Sequence, residues 1–208
     1  MKLIIENWRK FLTESSLSRV RKHIVENECA VITAFRGDPT DDANCTENAV
    51  IAQEGESNMT RNRDLKATLL GLGFGVTKVE GSYVEDFGTD LAEEVRENSL
   101  FCVNLKDDPT FVEMIALLGE KFCQDSVLII PKGGEGAYLI GTNNAEYPGL
   151  GEKKVVGSVS YGGEAENMTR VNGKPFTTSE SIELETYKNL SRNQRMFVRA
   201  VQKEILGK

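Results

Sequence analysis

The sequence predicts a single α+β domain with a mixed or mostly antiparallel sheet flanked by helices. Segments of helical and strand periodicity alternate in the first half of the chain. Ser126–Ile130 and Ala137–Gly141 are β-type runs on either side of a glycine-rich turn, which is typical of an antiparallel hairpin. With 208 residues, of which 39% are hydrophobic and 27% charged, the chain has the composition of a globular protein. No linker-like stretch divides it, so we expect one domain.

The first half of the chain alternates helix and strand. Residues 15–28 carry an apolar stripe at helical spacing and are predicted to form a helix. Ala30–Phe35 is predicted to be a strand because it is rich in β-branched and aromatic residues. Residues 36–46 contain glycine, proline and three aspartates, which indicates a loop. A second helix is predicted over Asn58–Leu72, with Gly73 as its C-terminal cap.

The second half is richer in strands. Phe74–Glu85 is predicted to be a strand pair broken at Gly81, and Thr89–Glu97 a helix whose first turns are acidic. Leu100–Leu105 has the apolar run of a buried strand, and Asp108-Pro109 gives a strong start to a helix ending at Phe122. Beyond the central hairpin, the prediction continues with a strand at Lys154–Tyr161 and one or two helices within Ser179–Leu206.

Charge and cysteine content restrict the class of protein. The net charge of −7 comes from scattered carboxylates, and no clustered basic face is present, so nucleic-acid binding is not expected. No run approaches 18 apolar residues, so no membrane-spanning segment is predicted. The four cysteines are widely spaced and form no C-x-x-C pair, which favours reduced, structural thiols in a reducing compartment.

The first fourteen residues are predicted to be a separate amphipathic helix ahead of a domain at residues 15–208. Ile5, Trp8 and Leu12 fall on one helical face, and charged residues take the other. This apolar stripe is the predicted partner-binding surface. Two alternatives remain: the helix packs onto the chain's own domain, or it binds a membrane or another partner.

This segment resembles the capsid-targeting sequences of internal head proteins in T4-like tailed phages. Those leaders begin with Met-Lys, form a short amphipathic helix and end at a Leu/Ile-x-Glu cleavage site, which Leu12-Thr13-Glu14 matches. The resemblance implies proteolytic processing between Glu14 and Ser15. It also implies the prohead scaffold and its protease as partners, and a location in the virion head interior.

Residues 58–151 are similar to an uncharacterised family of small phage and bacterial proteins. The motifs that carry this second resemblance are Asn62-Arg63-Asp64-Leu65, the Glu80–Glu85 segment and Gln124-Asp125-Ser126. It implies a compact α/β fold and a phage or bacterial origin.

Sequence motifs for well-known catalytic sites are absent. The chain has one histidine, His23, with no partner at ligand spacing, so no metal site is predicted. Lys132-Gly-Gly-Glu-Gly136 lies between strands and does not open a helix, so it does not fit a phosphate-binding loop. Neither a cofactor nor a nucleophile–base pair is expected.

Polar residues at the ends of predicted elements are therefore the candidate site residues. Arg61 and Arg63 begin a helix, where guanidinium and amide groups suit an anion. Tyr83 and Glu85 share one face of a strand because alternate residues point the same way. Gln124 and Asp125 precede a buried strand, and Gly141-Thr142-Asn143 follow another, so these ends converge if the strands are neighbours. The predicted catalytic residues are Glu85 and Asp125, and the predicted ligand-binding residues are Arg61, Arg63, Tyr83 and Gln124.

The expected function is that of a phage accessory protein that binds and modulates a host factor in the host cytoplasm without catalysis, as in anti-defence. One alternative is a small nucleotide-binding protein or enzyme acting on a phosphorylated or ADP-ribose-type ligand. The ADP-ribose version draws on the E-x-E sequence Glu183-Leu-Glu185. The other alternative is a structural or scaffold-associated head component.

Overall fold

Eight antiparallel strands, each hydrogen-bonded to its neighbours, form the centre of the part of the molecule that the structure describes. The computed structural model describes residues 18–38, 40–41, 43–53, 55–85, 93–161, 167–171 and 174–179. Three helices accompany the strands: α1 (residues 18–26), α2 (Asn58–Gly71) and α3 (Phe111–Lys121). The strands are β1 (Cys29–Ile32), β2 (Gly75–Glu85), β3 (Glu93–Val103), β4 (Ser126–Ile130), β5 (Ala137–Gly141), β6 (Lys153–Tyr161), β7 (Asn167–Val171) and β8 (Lys174–Ser179).

The strand order closes on itself. It runs β1-β3-β2-β7-β8-β6-β5-β4, and β4 pairs back with β1 to complete a barrel. Every pairing between these strands is antiparallel. The predicted α+β fold with a mostly antiparallel sheet is therefore confirmed.

The strands β1 and β4, and the second half of β3 (residues 99–103), are largely buried on both faces. Ala30 and Ile32 belong to a core that includes residues of α2 and α3, whereas Cys29 belongs to a second core that includes Val20 and Ile24 of α1. Alternate residues of a strand point to opposite faces, so one strand serves both cores. This is why these segments read as continuous apolar runs in the sequence.

The β2–β3 hairpin corrects two predictions. Gly75–Glu85 is one continuous strand that passes through Gly81, not a pair broken there. Residues 93–97 of the predicted helix Thr89–Glu97 are the first part of β3. Eleven consecutive residue pairs join β2 to β3. This ladder supplies main-chain hydrogen bonds that local helix propensity cannot match, since propensity is only a weak preference.

The remaining boundaries differ in smaller ways. The predicted central hairpin is confirmed as β4 and β5. Helix α3 begins at Phe111 and not at Asp108, because the Asp108 carboxylate accepts hydrogen bonds from the Thr110 amide and hydroxyl and forms a turn ahead of the helix. Strands β7 and β8 are not predicted from the sequence. Residues 180–206 of the predicted C-terminal helices lie outside the described residues, as do residues 1–17 with the predicted N-terminal helix.

Among the described residues, no helix is long and apolar enough to cross a bilayer.

Close packing of α3 on the sheet depends on Gly119. A Cβ there would lie 2.7 Å from Val127 Cγ1 and 2.8 Å from both Thr142 Cγ2 and Thr142 Oγ1. Gly119→Ala is therefore expected to lower the free energy of unfolding by about 1–3 kcal/mol through overpacking. Gly71→Ala, also in a helix, has no atom within 4 Å of its added Cβ and should change stability by less than about 1 kcal/mol. Urea unfolding of both variants checks this prediction, and equal effects would contradict it.

Candidate functional site

Most of the buried polar side chains among the described residues lie at one end of the barrel. Because β1 runs antiparallel to β4, and β4 to β5, the end of β1, the start of β4 and the end of β5 meet there. We call this end of the barrel, with the first turns of α2 and the end of α3, the polar end. Its buried polar members are Arg61, Asn62, Gln124, Thr142 and Asn143.

Arg61 lies inside this group and not at the surface, with an exposed fraction of 2%. Its guanidinium donates to the carbonyls of Ala34 (3.2 Å), Val50 (3.2 Å) and Phe122 (2.8 Å). The guanidinium carbon also lies 5.6 Å from the centroid of the Phe122 ring. Burial lowers the pKa of Arg61 below its ordinary value. Arg61 thus connects three segments of main chain. The sequence-based expectation that Arg61 faces solvent and binds an anion is not met, because its guanidinium is buried.

Arg63, the second predicted anion-binding residue, is exposed. Its Nε lies 3.5 Å from Asp64 Oδ1, and both side chains are mostly in solvent. An ion pair of this kind contributes little to stability.

The predicted convergence of strand ends on β4 and β5 is observed. Thr142 Oγ1 donates to the Gln124 carbonyl at 2.5 Å, and Asn143 Nδ2 donates to Asp125 Oδ1 at 2.7 Å. The Gln124 side chain is buried and donates to the carbonyls of Phe35 and Phe122, both at 3.2 Å. Asp125 is exposed and held by Asn143, so it is the member of this group that presents a carboxylate to solvent.

A disulfide between Cys45 and Cys123 joins the loop before α2 to the end of α3, with Cα atoms 5.2 Å apart. The prediction that all four cysteines are reduced is therefore wrong for this pair. The two residues are 78 positions apart, so no local spacing signals the bond. Cys29 and Cys102 are free and buried, as predicted for structural thiols.

Further contacts hold the same loop against α3. Thr46 Oγ1 and Asn48 Nδ2 donate to Glu120 Oε1 at 2.7 and 2.9 Å, and the Val50 amide donates to the Lys121 carbonyl at 2.7 Å. These bonds bring the loop over the end of α3. We call residues 43–53 the strap.

Tyr83 and Glu85 lie in the outer half of the β2–β3 hairpin, where the structure describes the main chain only. Tyr83 is opposite Val95 on β3 and Asn167 on β7, and Glu85 is opposite Glu93. The outer half begins after the pair of Glu80 and Asn98. The Asn98 carbonyl accepts hydrogen bonds from Thr33 and Asn62, so this pair lies at the polar end and the outer half extends away from it. In the sequence, residues 80–97 contain seven carboxylates and one arginine.

A second group of polar side chains, which includes Glu28, Asn104 and Tyr138, lies at the opposite end of the barrel. Burial raises the pKa of Glu28, and a hydrogen bond with Asn104 opposes that shift. Burial and the nearby Glu28 charge raise the pKa of Tyr138, whose ring lies 5.3 Å from Lys153 Nζ. Within the described ranges, no group of three or more His, Cys, Asp or Glu side chains could hold a metal ion.

Comparison with known families decides the class of protein. A model of the S-adenosylmethionine lyase family matches residues 30–192, which is most of the chain. The chain belongs to this family. No individual curated protein gives a significant match. The matched range runs from Ala30 in β1 through β8, so both the polar end and the hairpin with Tyr83 and Glu85 lie within it.

The family match corrects two expectations. A lyase is an enzyme, so the predicted non-catalytic binding of a host factor is wrong, and the enzyme alternative is closer. The match supports the expected bacteriophage origin, but it contradicts recognition as a head-packaged protein with a capsid-targeting leader. The leader's residues Ile5, Trp8, Leu12, Glu14 and Ser15 lie outside the described residues.

Proposed function

We propose that this chain is an enzyme that cleaves S-adenosylmethionine in the host cytoplasm. The observation that carries the proposal is the family match over residues 30–192. The enzyme alternative expected from the sequence acts on a phosphorylated or ADP-ribose-type ligand. S-Adenosylmethionine shares the adenosyl group of such ligands but carries no phosphate. Its reactive centre is a sulfonium, which departs as a neutral thioether when a carbon–sulfur bond breaks.

A lyase must supply the electrons for this cleavage without water. Only the γ-carbon of the methionine moiety can be reached by the substrate's own carboxylate through a five-membered ring. In that step a carboxylate oxygen bonds to the γ-carbon and the γ-carbon–sulfur pair moves to sulfur. The products are a lactone and 5′-methylthioadenosine. Removal of a β-proton by a base is another water-free route, and it leaves a vinyl group.

The intramolecular route tells us what the protein has to provide. A cationic sulfonium and an anionic carboxylate both become neutral, so a water-poor pocket lowers the barrier by destabilising the separated charges. Holding the chain folded, with oxygen near carbon, supplies the rest by orientation. A protein carboxylate beside the sulfonium would oppose the reaction, because it would stabilise the charge that must disappear.

Glu85 and Tyr83 are the residues we assign to substrate binding. The α-ammonium group keeps its charge throughout, so we assign Glu85 to it, and Tyr83 to the sulfonium side of the substrate through the weaker attraction of an aromatic ring. The register that puts Glu85 opposite Glu93 supports a cationic ligand here, since like charges directly across a sheet are unfavourable by themselves.

Asp125 is assigned to the ribose hydroxyls. Its exposure and its support by Asn143 favour this role, because a carboxylate held by a neighbouring amide accepts hydrogen bonds in a fixed direction. Asp125 and the hairpin lie at the same end of the barrel, which is why we assign them to one substrate.

The test is turnover by the purified full-length chain. S-Adenosylmethionine should disappear and 5′-methylthioadenosine should form in equal amount, measured by chromatography with mass detection. S-Adenosylhomocysteine is the matched control, because it has the same skeleton but a neutral sulfur that cannot leave, and it should persist. Absence of methylthioadenosine, with protein shown by circular dichroism to be folded, would refute the proposal.

Removal of S-adenosylmethionine would also explain an anti-defence role. Methyltransferases of the host use this molecule as their methyl donor, so an enzyme that consumes it would act on all of them without binding any one. This role needs no nucleic-acid or membrane partner.

A further inference from the structure

We infer that Cys45 and Cys123 form a thiol–disulfide exchange site in which Cys45 is the sulfur that reacts with small thiols and disulfides. The inference concerns a modification of the strap and is independent of the lyase chemistry. It depends on three features of the described residues: unequal access to the two sulfurs, the position of Arg36, and the strap's other attachments to α3.

The two sulfurs of the disulfide differ in their exposure to solvent. Cys123 is 1% exposed, whereas Cys45 on the strap is partly exposed. Thiol–disulfide exchange requires an attacking thiolate to approach one sulfur along the sulfur–sulfur axis, so access decides which sulfur is attacked. An external thiol therefore reaches Cys45 first.

Arg36 provides the electrostatic part of the site. Its Nη1 lies 3.4 Å from Cys45 Sγ and also donates to the Cys123 carbonyl. Asn58 holds the main chain of Arg36 by accepting from its amide and donating to its carbonyl. A guanidinium at this distance favours a thiolate over a thiol, which is the microenvironment of reactive cysteines.

The exchange balances without any component of the protein other than these two cysteines. A small thiolate bonds to Cys45 Sγ, the Cys45–Cys123 bond breaks, and its electron pair leaves as the Cys123 thiolate. A second small thiolate then attacks the external sulfur of the mixed disulfide and releases the Cys45 thiolate and a small disulfide. In the reverse direction, the Cys45 thiolate attacks a small disulfide and Cys123 resolves the adduct.

Opening the bond should loosen the strap locally and leave the fold intact. The bonds from Thr46 and Asn48 to Glu120, and from Val50 to Lys121 and Arg61, do not involve sulfur. They retain the strap when the disulfide opens, and so do the bonds from the Asn144 amide and side chain to the carbonyls of Asn44 and Cys45. The freedom gained is therefore mainly that of the Cys45 side chain.

The other two cysteines serve as internal controls. Burial, with a smaller contribution from the Glu28 charge, raises the pKa of the Cys29 thiol to about 12. Burial also raises the pKa of Cys102. Neither thiol should react while the protein is folded.

The first experiment treats the native wild-type chain with dithiothreitol, labels it briefly with iodoacetamide and maps the label by peptide mass spectrometry. We expect Cys45 to be labelled first, and Cys29 and Cys102 only after denaturation. Resistance of the disulfide in the folded protein, or earlier labelling of any other cysteine, would overturn the assignment.

The second experiment compares C123S with C45S after exposure to oxidised glutathione, with circular dichroism as the check on folding. C123S should gain one glutathione on Cys45, and C45S should gain none. In the C123S background, R36Q should slow adduct formation by at least about threefold, and R36K should restore most of the rate. Equal labelling of C45S and C123S, or no effect of R36Q, would contradict the inferred site.

Discussion

Replacing Arg61 by alanine is expected to lower the free energy of unfolding by about 3–5 kcal/mol, because a buried charged donor and its partners are separated. The substitution removes hydrogen bonds to the carbonyls of Ala34, Val50 and Phe122 and leaves all three without this donor. It also removes the packing of the guanidinium on the Phe122 ring. Arg61→Lys should recover only part of the loss, since an ammonium lacks the planar fork that reaches several acceptors at once.

Arg63→Ala is the matched control, two residues away in the same helix. Its guanidinium is mostly in solvent and has only the 3.5 Å contact with Asp64, so the expected change is within about 0.5 kcal/mol. Urea unfolding followed by circular dichroism measures both variants. Similar losses of unfolding free energy for the two variants would contradict the role of Arg61 in connecting Ala34, the strap and the end of α3.

Glu85→Gln is expected to lower kcat/KM for S-adenosylmethionine by about 100-fold, equivalent to about 2.7 kcal/mol of lost transition-state binding. The amide keeps the size of the side chain and loses the charge that we assign to the substrate ammonium. Because that ammonium is charged in both the ground and transition states, most of the loss should appear as a higher KM and less as a lower kcat.

Glu113→Gln serves as the control for this experiment. Glu113 is an exposed carboxylate in the first turn of α3, which lies away from the polar end. Its replacement should leave kcat/KM within about twofold while changing net charge by the same amount. A Glu85→Gln enzyme with wild-type kinetics would remove Glu85 from the proposed site.

The regular parts of this fold could be predicted from local sequence because their signals are local. The β4–β5 hairpin follows from two apolar runs around glycines, and its two strands determine that Gln124, Asp125, Thr142 and Asn143 meet. The first part of β3 could not be predicted, because residues 93–97 have the composition of a helix and become a strand through pairing with β2. Such long-range pairing has no local signature.

In the candidate site, too, some features have local sequence signals and others depend on long-range contacts. Arg61 was identified from its place at a helix start, but its burial depends on Ala34, Val50 and Phe122, which come from three distant segments. The Cys45–Cys123 bond likewise depends on the strap crossing α3. The proposed lyase activity predicts no short motif in this chain, since the proposed intramolecular route takes its nucleophile from the substrate and needs no catalytic triad or metal-ligand pattern from the protein.

The most direct test of the lyase assignment is cleavage of S-adenosylmethionine in water enriched in oxygen-18, with prompt mass analysis of the four-carbon product. The proposed chemistry predicts 5′-methylthioadenosine together with a product that carries no oxygen-18 on its γ-carbon, because the oxygen there comes from the substrate's own carboxylate. Oxygen-18 on the γ-carbon would mean that water is the nucleophile, and the enzyme would then be a hydrolase and not a lyase.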